Sequence, residues 1–307
     1  METPKLKIVV SLVNDNSDYQ VAQAKAAQES ARKHGFGIEI VYAQGDAITQ
    51  SQQLLKFIQS PAASRPNIII FEPVGTGLMQ VAQAAVKAGI GWVVMNREVD
   101  YVTQLRGLVK MPVFAVSNNH LDIGRIQARQ LNELLPNGGS VIYILGPTVT
   151  DAAQLRSKGM MEIKHANIEV RTLHGRWTEQ SGFDAVSSWL RLSTSRDAVV
   201  HVVAAQNDFM AMGAHKAIAA VIDDSNREKW QHVKFLGVDG LAEHGMTWVR
   251  SKLLVATVIT PTISDIAIEM IAKAVATGTQ PAARTYCEAT SYPPLGQLSA
   301  VHDAALA

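Results

Sequence analysis

The chain has 307 residues, long enough for two domains of ordinary size or for one large one. Hydrophobic residues make up 47% and charged residues 18%, a globular balance that supports a sizeable buried core. Lys and Arg number 28 against 27 Asp and Glu, without a basic stripe, so electrostatic capture of nucleic acid has no basis in the composition.

In chain order, short β-branched runs alternate with amphipathic stretches. The first block predicts a strand at 6–13, a helix at 18–34, a strand at 37–42 and a helix at 48–59. A strand at 67–71, a helix at 76–88 and strands at 92–95 and 113–117 complete it. The second block opens with a helix at 120–135, then a strand at 141–145, a helix at 151–166, a strand at 169–173 and a helix at 179–192. It continues with a strand at 199–204, a helix at 208–222, a strand at 233–238, a helix at 240–250, a strand at 255–259 and a helix at 262–277. Ile68-Ile69-Ile70-Phe71 lacks polar alternation, as parallel strands covered on both faces do. Gly35 and Gly89 stand just past helices, where a left-handed cap is wanted, and Asp208 stands where it can cap the helix it begins.

Regular strand–helix alternation implies right-handed βαβ units and α/β architecture. The expected fold is two doubly wound, Rossmann-like lobes with parallel sheets, joined by a short multi-strand hinge. The expected lobes are 1–117 plus 261–291 and 118–260 plus 292–307, with the ligand cleft between them. The alternative is a single open sheet of ten strands, which twist disfavours.

The single cysteine, Cys287, excludes an intrachain disulfide and a Cys-rich metal site, and it reads as a small core residue. Ile8-Val9-Val10 begins a strand almost at once, with no basic segment and apolar run before it. The expected location is periplasmic or otherwise extracytoplasmic if a leader has been removed, and cytoplasmic if the chain is complete as given.

Open parallel sheets bind ligands outside the carboxyl ends of their strands. The polar residues there are Asn14, Asp15 and Asn16; Glu72; Asn96, Arg97 and Glu98; Thr148 and Thr150; Arg176 and Trp177; Gln206, Asn207 and Asp208; and Asp239. Asn, Asp, Arg and Gln supply paired donors and acceptors that suit vicinal hydroxyls. Taken singly, each also suits a turn or a helix cap.

These residues also carry a resemblance. Ala205-Gln206-Asn207-Asp208-Phe209-Met210-Ala211-Met212-Gly213-Ala214 is similar to the "xNDxMAxGA" turn of type I periplasmic-binding-protein-like solute receptors of the ribose/galactose group. That family is related to the ligand domains of lactose-repressor-type regulators. Gly237-Val238-Asp239-Gly240, Val94-Met95-Asn96-Arg97 and Ala256-Thr257-Val258 resemble further family segments in the correct order, over about residues 5–292. The resemblance implies that Asn14, Asn16 and Tyr19 line the ligand from the first-strand loop. It places Asn96 and Arg97 on sugar hydroxyls, Trp177 as a stacking ring, and Asn207 and Asp239 as hydrogen bonders. Gln154 aligns with the family's ligand-binding arginine, Arg156 lies two residues on, and Thr260 stands where ribose receptors carry glutamine. Asn96 replaces an aspartate, for which Asp15 or Glu98 could substitute, and Asn119-His120 replaces an Asp-Asn pair. The implied pocket is less charged than a ribose site and suits another sugar, a polyol or a ligand outside the carbohydrates.

No phosphate-binding loop, nucleophile elbow, dinucleotide fingerprint or metal-spaced His group occurs, so neither catalysis nor a cofactor is expected. Asp151, Asp208 and Asp239 could form acid/base pairs, but caps and sugar acceptors explain them more simply. The reading is a monomeric solute-binding protein that delivers its ligand to an ABC permease. Its alternative is a stand-alone ligand sensor without a DNA-binding domain.

Overall fold

A computed structural model describes residues 6–76, 78–222 and 227–298. The strands are β1 Lys7–Leu12, β2 Gly37–Tyr42, β3 Ile68–Phe71, β4 Gly91–Met95, β5 Val113–Asn118 and β6 Gly139–Leu145. They continue as β7 Ile168–His174, β8 Val202–Ala205, β9 Lys234–Leu236, β10 Thr257–Ile259, β11 Arg284–Cys287 and β12 Thr290–Tyr292. The helices are α1 Asp18–Lys33, α2 Ala47–Gln59, α3 Met79–Lys87, α4 Tyr101–Leu105, α5 His120–Leu134 and α6 Asp151–Ile163. After them come α7 Glu179–Leu190, α8 Asp208–Ala219, α9 Arg227–Trp230, α10 Gly245–Arg250 and α11 Ser264–Thr277.

The chain divides into two compact units. One holds the described residues up to Asn118 together with Thr262–Cys287, and the other holds Asn119–Pro261 and the described residues from Glu288. Residues 288–291, expected in the first lobe, lie in the second, because β12 pairs antiparallel with β10 there; Pro261 likewise falls in the second unit, and Asn118, the last residue of β5, in the first. Residues 1–5 and 299–307 of the expected lobes lie outside the described residues.

The first unit is one parallel sheet in the order β11-β5-β4-β3-β1-β2. Its central strands are apolar throughout because helices cover both faces. Ile69, Phe71, Trp92 and Val94 pack in one cluster, and Ile68, Ile70, Val93 and Met95 pack in the other, as the period of two requires. A buried glutamine ties α11 to α1. The Gln23 side chain accepts from the backbone N–H groups of Ile263 (3.0 Å) and Ser264 (2.9 Å), and the Ser264 hydroxyl donates to Gln23 O at 2.6 Å. It serves two of the orphan donors at the start of a helix that has no side-chain cap of its own.

The second unit repeats the plan with the parallel order β7-β6-β8-β9, extended toward β10 by single bridges at Leu236–Ala256 and Asp239–Ile259. The single ten-stranded sheet is therefore excluded. Strands β11 and β12 and helices α4 and α9 were not among the predicted elements. β11 reads Arg-Thr-Tyr-Cys with alternating exposure on a sheet edge, so no apolar run announces it. The helix expected at 240–250 starts only at Gly245, because Gly240 adopts a left-handed backbone at φ 62°. Gly35 (φ 69°) and Gly89 (φ 80°) do take the left-handed conformation past their helices. Among the described residues no helix is long and apolar enough to cross a membrane.

Candidate functional site

In the first unit the strand order reverses between β1 and β3, the switch point at which doubly wound sheets place their ligands, at the carboxyl edge. Buried amides on helices set this edge. Gln20 of α1 accepts from Val13 N–H (3.0 Å) and donates to Glu72 Oε2 (2.8 Å). Gln50 of α2 donates to Glu72 O (2.8 Å) and Ser11 Oγ (3.1 Å) and accepts from Val74 N–H (3.0 Å). Asn14, half-buried, keeps its Oδ1 without a partner among the described residues.

Tyr19 OH accepts from Asn96 Nδ2 (3.3 Å) and Asn118 Nδ2 (3.1 Å), while Asn96 Oδ1 accepts from Asn118 N–H (3.3 Å). The structure thus brings Tyr19 and Asn96 together and adds Asn118, which sequence reasoning did not select. Arg97 is half-buried close to Tyr101, whereas Asn16 and Asp15 are exposed. Glu98 does not replace the missing aspartate; it accepts from Tyr286 OH at 2.5 Å on the exposed edge made by β11.

In the second unit the post-strand side chains converge on Arg156. This arginine is 6% exposed and donates from Nη1 to Gln206 O, with the same nitrogen 3.8 Å from Asp239 Oδ1. Its guanidinium lies 5.6 Å from the centroid of the Trp177 ring, and its Nε has no partner among the described residues. The Gln206 amide holds the floor, accepting from Gly146 N–H (2.8 Å) and donating toward Tyr143 OH (3.1 Å), Ala153 O (3.0 Å) and Ser157 Oγ (2.9 Å). Gly146 is required here, since an added Cβ would come within 2.1 Å of the Trp177 ring.

Gln154, expected at the arginine's position, is exposed and donates to Thr148 O (2.7 Å). The arginine grouped with Asp239 is Arg156. On α6 the buried positions are Ala153, Arg156, Gly159 and Met160, so a charged residue on an apolar helix face was the signal for it. Gln20 and Gln23 stand out in the same way on the alanine-lined buried face of α1.

Asn207, not Asp208, caps α8. Its Oδ1 accepts from Met210 N–H (2.9 Å), and its Nδ2 donates to Trp177 O (2.8 Å). Asp208 turns inward, accepting from Gly240 N–H (2.8 Å) and the Thr257 hydroxyl (2.6 Å). Burial first, and the neighbouring Asp239 second, hold its carboxyl well above the usual carboxylate range. Asp239 is 7% exposed, and its carbonyl accepts from Thr260 N–H (3.0 Å). Thr260 is buried, with its hydroxyl also directed at that carbonyl (3.5 Å). Thr150 caps α6 and Asn119 caps α5. His120 is buried with neither ring nitrogen partnered among the described residues; burial, then Arg156, hold it neutral with its pKa well below the usual histidine value. Cys287 is half-buried with its thiol pushed up by burial, and among the described residues no three His, Cys, Asp or Glu side chains gather as a metal site.

A family described as "Periplasmic binding protein domain" matches residues 8–280. A Rhizobium meliloti protein named for rhizopine binding is 31% identical over 192 residues, 61% of this chain and 58% of that one. The chain thus aligns with little more than half the length of that relative. The arabinose ABC transporter's periplasmic binding component from Shewanella sp. ANA-3, bound to L-arabinofuranose, superposes with a TM-score of 0.79 at 20% identity, over 97% of this chain and 95% of that one. A solute-binding protein of an ABC transporter from Bacillus halodurans C-125, bound to myo-inositol, gives 0.78 at 21% identity over 99% of each chain. At these identities the two structures establish the fold, and the family match covers most of the length. The chain belongs to the periplasmic binding protein domain family.

Proposed function

We propose that the protein captures a small polyhydroxylated ligand, a sugar or a cyclic polyol, and delivers it outside the cytoplasm to an ABC permease without chemical change. In this reading the ligand is held by side chains at the carboxyl edges of the strands. The observation that carries the proposal is the buried pair of Arg156 and Asp239, 3.8 Å apart and beyond direct hydrogen-bond reach, beside the Trp177 ring. A ligand hydroxyl can accept from the guanidinium and donate to the carboxylate at once, which suits two charges held in a dry site. The apolar C–H face of a sugar or inositol ring suits the Trp177 face, while its hydroxyl rim suits the Asn207 amide, and the Asn14 and Asn96 amides offer the same donors and acceptors in the first unit.

L-arabinofuranose and myo-inositol, the ligands of the two proteins with the same fold, share this pattern of vicinal hydroxyls around an apolar ring. Each neutral hydrogen bond nets only about 0.5–1.5 kcal/mol. Micromolar affinity, about −8 kcal/mol, therefore requires many of them to be desolvated together. A site that encloses the ligand away from water supplies that.

A thermal-shift panel of myo-inositol, L-arabinose, other aldoses, nucleosides and amino acids tests the reading. A ligand at a hundred times its Kd adds about 2.7 kcal/mol to the stability of the protein that binds it. Stabilisation by a sugar or polyol is expected. A panel silent for all of these, or responsive only to nucleosides or amino acids, refutes the reading.

A further inference from the structure

Asp208 is 1% exposed, yet it reaches both peptide groups that flank Asp239. Its backbone N–H donates to Val238 O at 2.7 Å, and its Oδ2 accepts from Gly240 N–H at 2.8 Å. Asp239's own peptide groups are held by the neighbouring strand: its N–H donates to Val258 O (2.9 Å), and its carbonyl accepts from Thr260 N–H (3.0 Å). Four hydrogen bonds thus enclose a residue whose backbone is left-handed, at φ 107°. Space has been cleared for the arrangement. A Cβ on Gly237 would lie 2.0 Å from Asp208 Oδ1, and one on Gly245 would lie 2.0 Å from Oδ2. The remaining contact of the carboxyl, with the Thr257 hydroxyl at 2.6 Å, fixes its plane.

We propose that Asp208 is a positioning residue for ligand recognition, a brace between the start of α8 and the Val238–Gly240 turn that aims the Asp239 carboxylate beside Arg156. The proposal rests on the reading that Asp239 touches the ligand. Asp208 itself, enclosed by Gly237, Gly245 and Thr257, does not.

The decisive comparison is Asp208→Asn against Asp208→Ala. An asparagine keeps the shape, with Oδ1 accepting from Gly240 N–H and Nδ2 donating to the Thr257 oxygen. An alanine removes the brace. Two readouts are taken on wild type and both variants: hydrogen exchange at the Gly240 and Thr260 amides followed by NMR, and calorimetric titration with myo-inositol and with L-arabinose. The expected result is that Asp208→Ala speeds exchange at Gly240 by about tenfold or more while Thr260 changes less, and weakens the sugar or polyol titration by about tenfold. Asp208→Asn restores both.

Unchanged Gly240 exchange in Asp208→Ala overturns the brace. Accelerated exchange with unchanged affinity overturns its role in recognition. A wild type that responds to neither probe nor to any other sugar or polyol of the thermal-shift panel, together with the expected exchange pattern, overturns the proposed function and the positioning role with it, and leaves a structural brace. Equal acceleration at Gly240 and Thr260 shows general loosening and overturns the specific role; Asp208→Asn then shows whether fold and affinity return together.

Discussion

Asn207 does two jobs with one amide, and two substitutions separate them. Its Oδ1 caps α8 through Met210 N–H at 2.9 Å, while its Nδ2 holds Trp177 O at 2.8 Å and carries a second hydrogen for a ligand. Asn207→Ala removes both functions; Asn207→Ser keeps a capping oxygen and removes only the amide donor. Loss of an N-cap costs about 0.5–2 kcal/mol. Loss of a neutral hydrogen bond to Trp177 O adds about 0.5–1.5 kcal/mol to either variant. Asn207→Ala should therefore be destabilised by about 1–3.5 kcal/mol and Asn207→Ser by about 0.5–1.5 kcal/mol. Urea unfolding without ligand measures the difference, read as a shift of the midpoint at constant slope. Titration with myo-inositol or L-arabinose should show both variants weakened by about tenfold, or about 1.4 kcal/mol. Equal stability of the two variants refutes the cap, and wild-type affinity in Asn207→Ser refutes the amide as a recognition group.

Gln23→Met keeps the volume of a fully buried side chain but orphans the N–H groups of Ile263 and Ser264; about 1–3 kcal/mol for each unmade bond predicts a loss of several kcal/mol in urea unfolding. A loss below about 0.5 kcal/mol, the scatter of a neutral surface change, would show that Gln23 is no cap. Stability should also respond to pH through two buried groups of opposite sign. Asp208, raised from 3.8 by burial and Asp239, contributes stability that is full below that value and declines as pH rises toward its folded value; Asp208→Asn should therefore gain on wild type between pH 4 and neutrality. His120, lowered from 6.5 by burial and Arg156, contributes stability that is full above 6.5 and declines as pH falls; His120→Asn should gain on wild type below about pH 6. Parallel pH profiles of variant and wild type would refute either statement. Asp239→Gly and Asp239→Ala both remove the carboxylate, so their difference isolates the backbone: at φ 107° the glycine variant should be the more stable, and an alanine advantage of about 0.4–1 kcal/mol, the usual order, would refute strain there.

Much of the fold was legible because period and punctuation agree. Ile68-Ile69-Ile70-Phe71 announces a strand covered on both faces, and Gly35 and Gly89 mark helix ends with the left-handed backbone they adopt. β11 escaped because an edge strand is not required to be apolar, and β12 because three residues, Thr290–Tyr292, give no period to read. The candidate site was legible as a set of positions more than as a set of local contacts. Several post-strand residues gather around Arg156, but a helix-capping amide and a ligand-facing amide look alike in sequence, so the cap of α8 falls to Asn207 where Asp208 was expected, and Asp208 turns inward to Gly240 and Thr257. Gln154 and Arg156 differ by two positions on a helix, a turn of about 200°, so alignment to the wrong one moves the charge from the buried face to solvent. The supporting glutamines Gln20 and Gln50 carry no motif. Only their places on buried faces give them away.

Backbone strain links these positions more firmly than any motif. Among the described residues the non-glycine residues at positive φ are Gln44, Asn96, Trp177, Asp239 and Lys252, and three of the five belong to the ten residues expected to meet a ligand. Asparagine tolerates the left-handed region, so Asn96 at φ 53° is held there at small cost. Trp177 at φ 67° has no such tolerance, Asp239 at φ 107° lies beyond the narrow left-handed well that Asn and Asp tolerate, and each costs about 1–3 kcal/mol that neighbouring bonds must offset. Those bonds are visible: Asn207 Nδ2 on Trp177 O, a glycine under the Trp177 ring, and the four hydrogen bonds around Asp239. A turn selected only to connect strand to helix would place glycine at both positions and discard the strain. Retaining an indole and a carboxylate there, with the supporting bonds to hold them, is what a chain does when those two side chains must face a particular way.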